Sequence, residues 1–176
     1  MFNPRDIVKK FSIREGSIVA DLGVGYGHYA YVLSEMVGEN GKVFAVDIQK
    51  DLLSRLKKES EEKGIKNIEI LWGDVEVSGG TKIRQNSIDS LVISNVLSQI
   101  ESKTGLVDEC RRILKIGGRI LLIDWAESIG PIGPPANLLV KQEEIKQIFD
   151  RGHLKFIDSV TVSDHHYGLI FEKTVL

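Results

Sequence analysis

Residues 17–29, Ser-Ile-Val-Ala-Asp-Leu-Gly-Val-Gly-Tyr-Gly-His-Tyr, restrict this chain to a small set of folds. Ser17 to Leu22 is an apolar run of strand length, continuous rather than alternating, as expected of a parallel strand covered on both faces. Asp21 sits near its end. Gly23, Gly25 and Gly27 follow at every second position, and Tyr29 to Val37 then forms a helix. Glycines there let the backbone turn sharply out of the strand and let a ligand lie directly against it. The helix that follows aims its unpaired N–H groups and positive dipole end at the same place, which suits a carboxylate or phosphate.

The spacing departs from the dinucleotide pattern G-x-G-x-x-G, which needs glycine where this chain has His28. Asp21 adds a carboxylate that would repel a pyrophosphate and attract an ammonium or sulfonium. The segment Asp21-Leu22-Gly23-Val24-Gly25-Tyr26-Gly27 resembles the first motif of the class I S-adenosylmethionine-dependent methyltransferases. That resemblance implies an α/β, three-layer Rossmann-like fold with a mostly parallel seven-stranded sheet and an antiparallel C-terminal strand. It implies S-adenosylmethionine as cofactor, with Asp21, Gly23, Gly25 and Gly27 around it.

Elsewhere the chain continues in the same style. Asn3-Pro4 opens a helix through Ile7, Val8 and Phe11, with proline at the first helical position. Residues 1–16 read either as a cap over the ligand pocket or as packing on the sheet. Lys42 to Val46 reads as a second buried strand ending in Asp47, where an acidic residue can accept both ribose hydroxyls. This feature does not separate adenosylmethionine from NAD, and a helix N-cap is the plainer alternative. Lys50 to Lys63 is a helix with Leu52, Leu53 and Leu56 inward, closed by Gly64. Asn67 to Trp72 is the third strand, with Trp72 expected in the core. By resemblance, Ile48 lies against the adenine face, Asp74 holds the adenine amino group and the Val75 backbone meets a ring nitrogen.

Glu76 to Ser87 is expected to be irregular, and Ile88 to Ser94 a fourth strand. Ser94-Asn95-Val96-Leu97 at its exit lacks the Asn/Asp-Pro-Pro-Tyr/Phe sequence that would suggest methylation of an amide or exocyclic amine. Asn95 is expected either to touch the methionine end through its backbone carbonyl or to be structural. Ser102 to Lys115 reads as a helix ending at Gly117-Gly118, and Arg119 to Asp124 as the fifth strand; this module also resembles the family. Residues 125–140, with three prolines, read as a lid over the acceptor or a plain connection. Gln142 to Arg151 is a helix with Ile145, Ile148 and Phe149 inward, and the chain closes in a hairpin around Asp164-His165-His166. Adjacent strand histidines face opposite ways, so a turn explains them better than a metal.

At 176 residues the chain is expected to form one domain. A formal net charge of −2 leaves no electrostatic footprint for nucleic acid. The single cysteine, Cys110, excludes an intramolecular disulfide and reads as a core thiol. No apolar run is long enough to span a bilayer and no signal segment opens the chain, so a cytoplasmic location is expected. The composite expectation is methyl transfer to a small-molecule acceptor by in-line displacement, with no metal and with self-association left open. Two rivals remain: a non-catalytic adenosylmethionine-binding partner or sensor, and an NAD-dependent oxidoreductase. Tyr26, His28, Asp124 and Glu127 are the nearby groups able to act as a base, and none of them is assigned.

Overall fold

The computed structural model describes residues 3–11 and 13–175. Thirteen elements follow one another, beginning with α1 (Pro4–Phe11), β1 (Ile18–Leu22), α2 (His28–Val37), β2 (Lys42–Asp47) and α3 (Lys50–Glu62). After β3 (Ile68–Trp72), β4 (Ile88–Ser94), α4 (Lys103–Ile113) and β5 (Leu114–Trp125) come a short 3-10 turn (Ala136–Leu138), α5 (Gln142–Arg151), β6 (Leu154–Ser163) and β7 (His166–Lys173). The seven strands form one sheet in the order β3-β2-β1-β4-β5-β7-β6. All neighbours are parallel except β7, which runs antiparallel to both β5 and β6.

Alternation along the central strands explains the three layers. Val19, Val92 and Leu121 face Ile7, Leu33 and Leu56 from α1, α2 and α3. Ala20, Leu91 and Leu122 face Leu106, Cys110 and Phe149 from α4 and α5. Both faces are buried, hence the continuous apolar runs. Burial pushes the Cys110 thiol pKa well up, as suits a core side chain rather than a nucleophile. No helix among the described residues is long and apolar enough to cross a membrane.

The order of the strands places the topological switch point between β1 and β4, so ligand chemistry is expected at the C-terminal edge there. Crossing from β3 to β4, residues 73–87 have no regular structure but are anchored. The fully buried Glu109 of α4 accepts from the backbone N–H of Gly79 at 2.8 Å and of Thr81 at 3.1 Å, and pairs with Arg112 at 2.7 Å. Burial alone would raise its pKa, but the hydrogen bonds from Arg112, Thr81 and Gly79 outweigh it and hold Glu109 below the usual carboxylate range.

Two sequence expectations are corrected. Helix α4 ends at Ile113 rather than at Gly117-Gly118, because Leu114 is already extended (φ −73°, ψ 138°) and pairs with Ile88. Strand β5 then bulges: between the pairs Ile88–Leu114 and Ser90–Arg119, one residue of β4 stands against four of β5. Gly117, at φ 74°, supplies the left-handed bend of that bulge rather than a helix stop. Trp72 is not core either. It lies on the edge strand β3, 49% exposed, with its Nε1–H donating to the Ile48 carbonyl at 3.0 Å and the Lys50 and Lys82 ammoniums each 4.6 Å from its ring.

Candidate cofactor cleft

The turn after β1 is strapped to β2 rather than hanging free. Gly23 and Val24 donate to the Val46 carbonyl at 2.9 and 3.0 Å, and Gly25 donates to Asp47 Oδ2 at 2.9 Å. Asp47 Oδ1 accepts from Gln49 at 2.9 Å. Asp47 thus ties the glycine turn of β1 to the start of α3. It does not cap α3, whose N-cap is Gln49. Each carboxylate oxygen keeps a second acceptor site for a hydroxyl.

The three glycines do three different jobs. Gly25 (φ 53°) has open space where a Cβ would stand, so a ligand can rest on its backbone. Gly23 (φ 76°) faces Val96, whose Cγ2 would be 2.4 Å from a Cβ there. Gly27 (φ 80°) precedes α2 and lies under Leu56, whose Cδ1 would be 2.5 Å away. Gly27 lines no part of the cleft; it lets α2 and α3 approach. Gly23→Ala should cost about 1–3 kcal/mol of stability through the left-handed backbone and the Val96 collision. Its urea midpoint should fall with the m-value unchanged.

Around this turn lie two adjoining lobes at the C-terminal edge of β1, β2 and β4. One, about 320 Å³, is lined by Asp47, Ile48, Asp74 and Val75. The other, about 410 Å³, is lined by Asp21, Tyr29, Leu52, Ser94 and Asn95, with Pro4 of α1 at its rim. Gly23, Gly25, Gln49 and Gln99 border both. Ile48 is 58% exposed, an apolar face turned to the first lobe. Asp74 Oδ1 accepts from the Glu76 N–H at 2.9 Å, which fixes the loop and leaves its other oxygen available.

The second lobe carries the most telling chemistry. Five buried side-chain polar atoms in the described structure have no hydrogen-bond partner, and three line this lobe: Asp21 Oδ2, the Tyr29 hydroxyl and Asn95 Oδ1. Native interiors satisfy nearly all such atoms, so a cluster of three around one cavity indicates a ligand surface. Burial raises the Asp21 carboxyl to about 7, against the pull of the Ala30 N–H and with a further push from Asp47. Burial also raises the Tyr29 hydroxyl, with Ser94 opposing and the Asp21 charge adding. The phenol therefore stays protonated. A carboxylate, an amide oxygen and a hydroxyl oxygen together present acceptors to a primary ammonium, which has three N–H donors.

Asn95 adopts φ 56° at the exit of β4, and its backbone carbonyl accepts from Gln99 Nε2 at 2.6 Å. Its side-chain Oδ1 is buried and has no partner among the described residues, while the carbonyl keeps a second acceptor site. Of the four groups considered as bases, Tyr26 and His28 line the lobe. Asp124 does not: its oxygens accept from Leu97 at 3.0 Å and Trp125 at 2.8 Å, holding the β4 exit against β5. Glu127 pairs with His165 at 2.5 Å, outside the cleft. No residue of 125–140 lines either lobe. That segment folds back on itself, with Gly133 against the Trp125 ring and the Trp125 and His166 rings tilted at 39° with centroids 4.1 Å apart. Among the described residues no group of His, Cys, Asp and Glu is arranged to hold a metal.

Sequence reasoning missed Tyr29, Gln49 and Gln99, and it sent Leu52 to the core. Tyr29 looked like one more apolar position on α2; it shares a lobe with Asp21 only because the glycine turn folds the start of α2 back beside the end of β1. The two glutamines follow Asp47 and Asn95 by two and four residues, a spacing with no signature of its own.

A family model described as a methyltransferase domain matches residues 13–166. The ubiquinone/menaquinone biosynthesis C-methyltransferase of Francisella tularensis subsp. novicida is 32% identical over 129 residues, covering 73% of this chain and 50% of that protein. The demethylmenaquinone methyltransferase of Oceanobacillus iheyensis is 26% identical over 123 residues, covering 70% of this chain and 50% of that protein. The chain thus spans about half the length of the curated relatives it matches. Among solved structures, a SAM-dependent methyltransferase from Aquifex aeolicus superposes with a TM-score of 0.89 at 26% identity, covering 98% of this chain and 90% of that one. With this fold and this cleft, the chain belongs to the methyltransferase domain family, in its class I S-adenosylmethionine-dependent form. The curated relatives it resembles are those of the quinone-biosynthesis branch.

Proposed function

We propose that this chain binds S-adenosylmethionine in the two-lobed cleft and transfers its methyl group to a small-molecule acceptor. The observation that carries the reading is the trio of unpartnered buried atoms, Asp21 Oδ2, Tyr29 OH and Asn95 Oδ1, beside a glycine turn open to the cavity. They match the ammonium of the methionine end. The first lobe matches the nucleoside: Asp47 for the ribose diol, Ile48 for the adenine face, Asp74 for its amino group and the Val75 backbone for a ring nitrogen. Gly23 and Gly25 admit the ligand to the backbone, and Gly27 contributes by seating α2. NAD fits poorly, because a buried acidic cluster would meet its pyrophosphate.

When bound, the cofactor supplies an already activated methyl group on a sulfonium. The protein's own work is then alignment and exclusion of water, which can supply several kcal/mol through proximity. Pro4, Tyr26, His28 and Leu52 form the wall beyond the ammonium site and are the surface an acceptor would meet. The quinone-biosynthesis relatives point to a small aromatic acceptor. The test is incubation of the protein with S-adenosylmethionine and a panel of phenols and hydroquinones, followed by detection of S-adenosylhomocysteine and methylated product. Acceptor-dependent turnover is expected. Absence of S-adenosylhomocysteine binding at millimolar concentration overturns the reading.

A further inference from the structure

At the opposite end of the sheet, where β1 and β4 begin and β5 bulges, a second cavity of about 460 Å³ opens. A five-residue strand at about 3.3 Å per residue separates it from the cofactor cleft by roughly 15 Å. Its walls include Arg14, Lys115, Arg119 and the small polar residues Ser17 and Ser90. We propose that this notch is a binding site for a phosphoryl group, distinct from the cofactor cleft.

The charges decide the sign of the ligand. Of the two carboxylates present, Asp89 is engaged: Oδ1 pairs with Lys115 at 2.6 Å and Oδ2 accepts from the Ile18 N–H at 2.8 Å. Glu15 forms no ion pair with a described residue and its carboxylate lies toward Gly38, so the lining sets three cations, Arg14, Lys115 and Arg119, against two carboxylates. Among the described residues no ion pair is formed by Arg14 or Arg119, so two guanidiniums are left to the cavity. Arg119 is also held in place: its guanidinium lies 5.6 Å from the centroid of the buried Phe11 ring. Its Nε is shut off from water and has no acceptor. That inward Nε–H is not the contact a ligand would make; it is the rest of the planar guanidinium fork that lines the cavity, and an oxyanion is the acceptor such a fork fits best. Two guanidiniums with the hydroxyls of Ser17 and Ser90 suit a dianion with three oxygens better than a single carboxylate. The Lys115–Gly118 bulge, the largest departure from regular pairing in β5, is what opens the floor.

The experiment titrates inorganic phosphate into the full chain at constant ionic strength, with chloride as the control salt and melting temperature as the readout. S-adenosylhomocysteine is present in one arm and absent in another, so that any anion held by the N-terminus of α2 is separated from the notch. Saturable stabilisation beyond chloride is expected in both arms. Arg119→Gln and, separately, the exposed-turn variant Arg14→Gln should each raise the half-saturating phosphate concentration about tenfold or more. Asp47→Ala should leave the phosphate response unchanged. A response equal to that of chloride, or one that survives both arginine substitutions, overturns the proposal without touching the cofactor reading.

Discussion

Asp47→Ala should weaken S-adenosylhomocysteine binding by about 100-fold or more, from the loss of two charge-assisted hydrogen bonds. The expected loss exceeds that of a ribose contact alone. Asp47 is 6% exposed and already holds the Gly25 and Gln49 N–H groups at 2.9 Å each. Its removal frees the glycine turn from the start of α3, so the floor of both lobes loses its registration. Asp47→Asn separates the two contributions. One amide oxygen can keep the Gly25 N–H, but the NH₂ cannot accept from Gln49 or from a hydroxyl. Isothermal titration should therefore rank wild type, Asn and Ala in falling order of affinity. Equal affinity for wild type and Ala would remove Asp47 from the site.

How far the sequence carries to the fold depends on which forces decide each element. Strands β1, β2 and β4 are buried on both faces, so their apolar runs declare them, and the helices α3 and α5 declare themselves by periodicity. The β5 bulge was invisible, because a Gly-Gly pair reads equally as a helix stop or a bend inside a strand. Only pairing with β4 decides, and pairing is a tertiary contact. Trp72 was misread for a related reason: an apolar strand at a sheet edge looks like one at its centre until its neighbours are counted. In the cleft, Asp21, Gly25, Asp47, Ile48, Asp74 and Val75 all line a lobe, since each lies at the C-terminal end of a strand whose position the topology dictates. Gly27, placed beside the cofactor by resemblance, lines neither lobe, whereas Asn95, left open between a carbonyl contact and a structural role, lines the second. Leu56 takes the space above Gly27, and Gln99 takes one acceptor site of the Asn95 carbonyl.

Asp21→Asn should show the cofactor site as a trade of stability for binding. The Asp21 carboxyl is 2% exposed and raised to about 7 from an ordinary 3.8. The folded state therefore holds a proton that the unfolded chain releases. The stability this group contributes is fully present below pH 3.8 and is lost as pH rises toward 7. A displacement from 3.8 to about 7 corresponds to a ceiling of about 4 kcal/mol. Asparagine removes the titration but remains a buried polar group, so about 1–2 kcal/mol should be recovered above pH 7 and none near pH 4. Cofactor binding should move the other way. A primary ammonium needs the ionised carboxylate, so wild-type affinity for S-adenosylhomocysteine should rise about tenfold per pH unit below 7 and flatten above it. The Asn variant should bind weakly with no such slope. 5′-Methylthioadenosine, which lacks the amino-acid end, should bind wild type with little pH dependence. If the slope survives in Asp21→Asn, or if methylthioadenosine shares it, the ammonium is not what Asp21 holds.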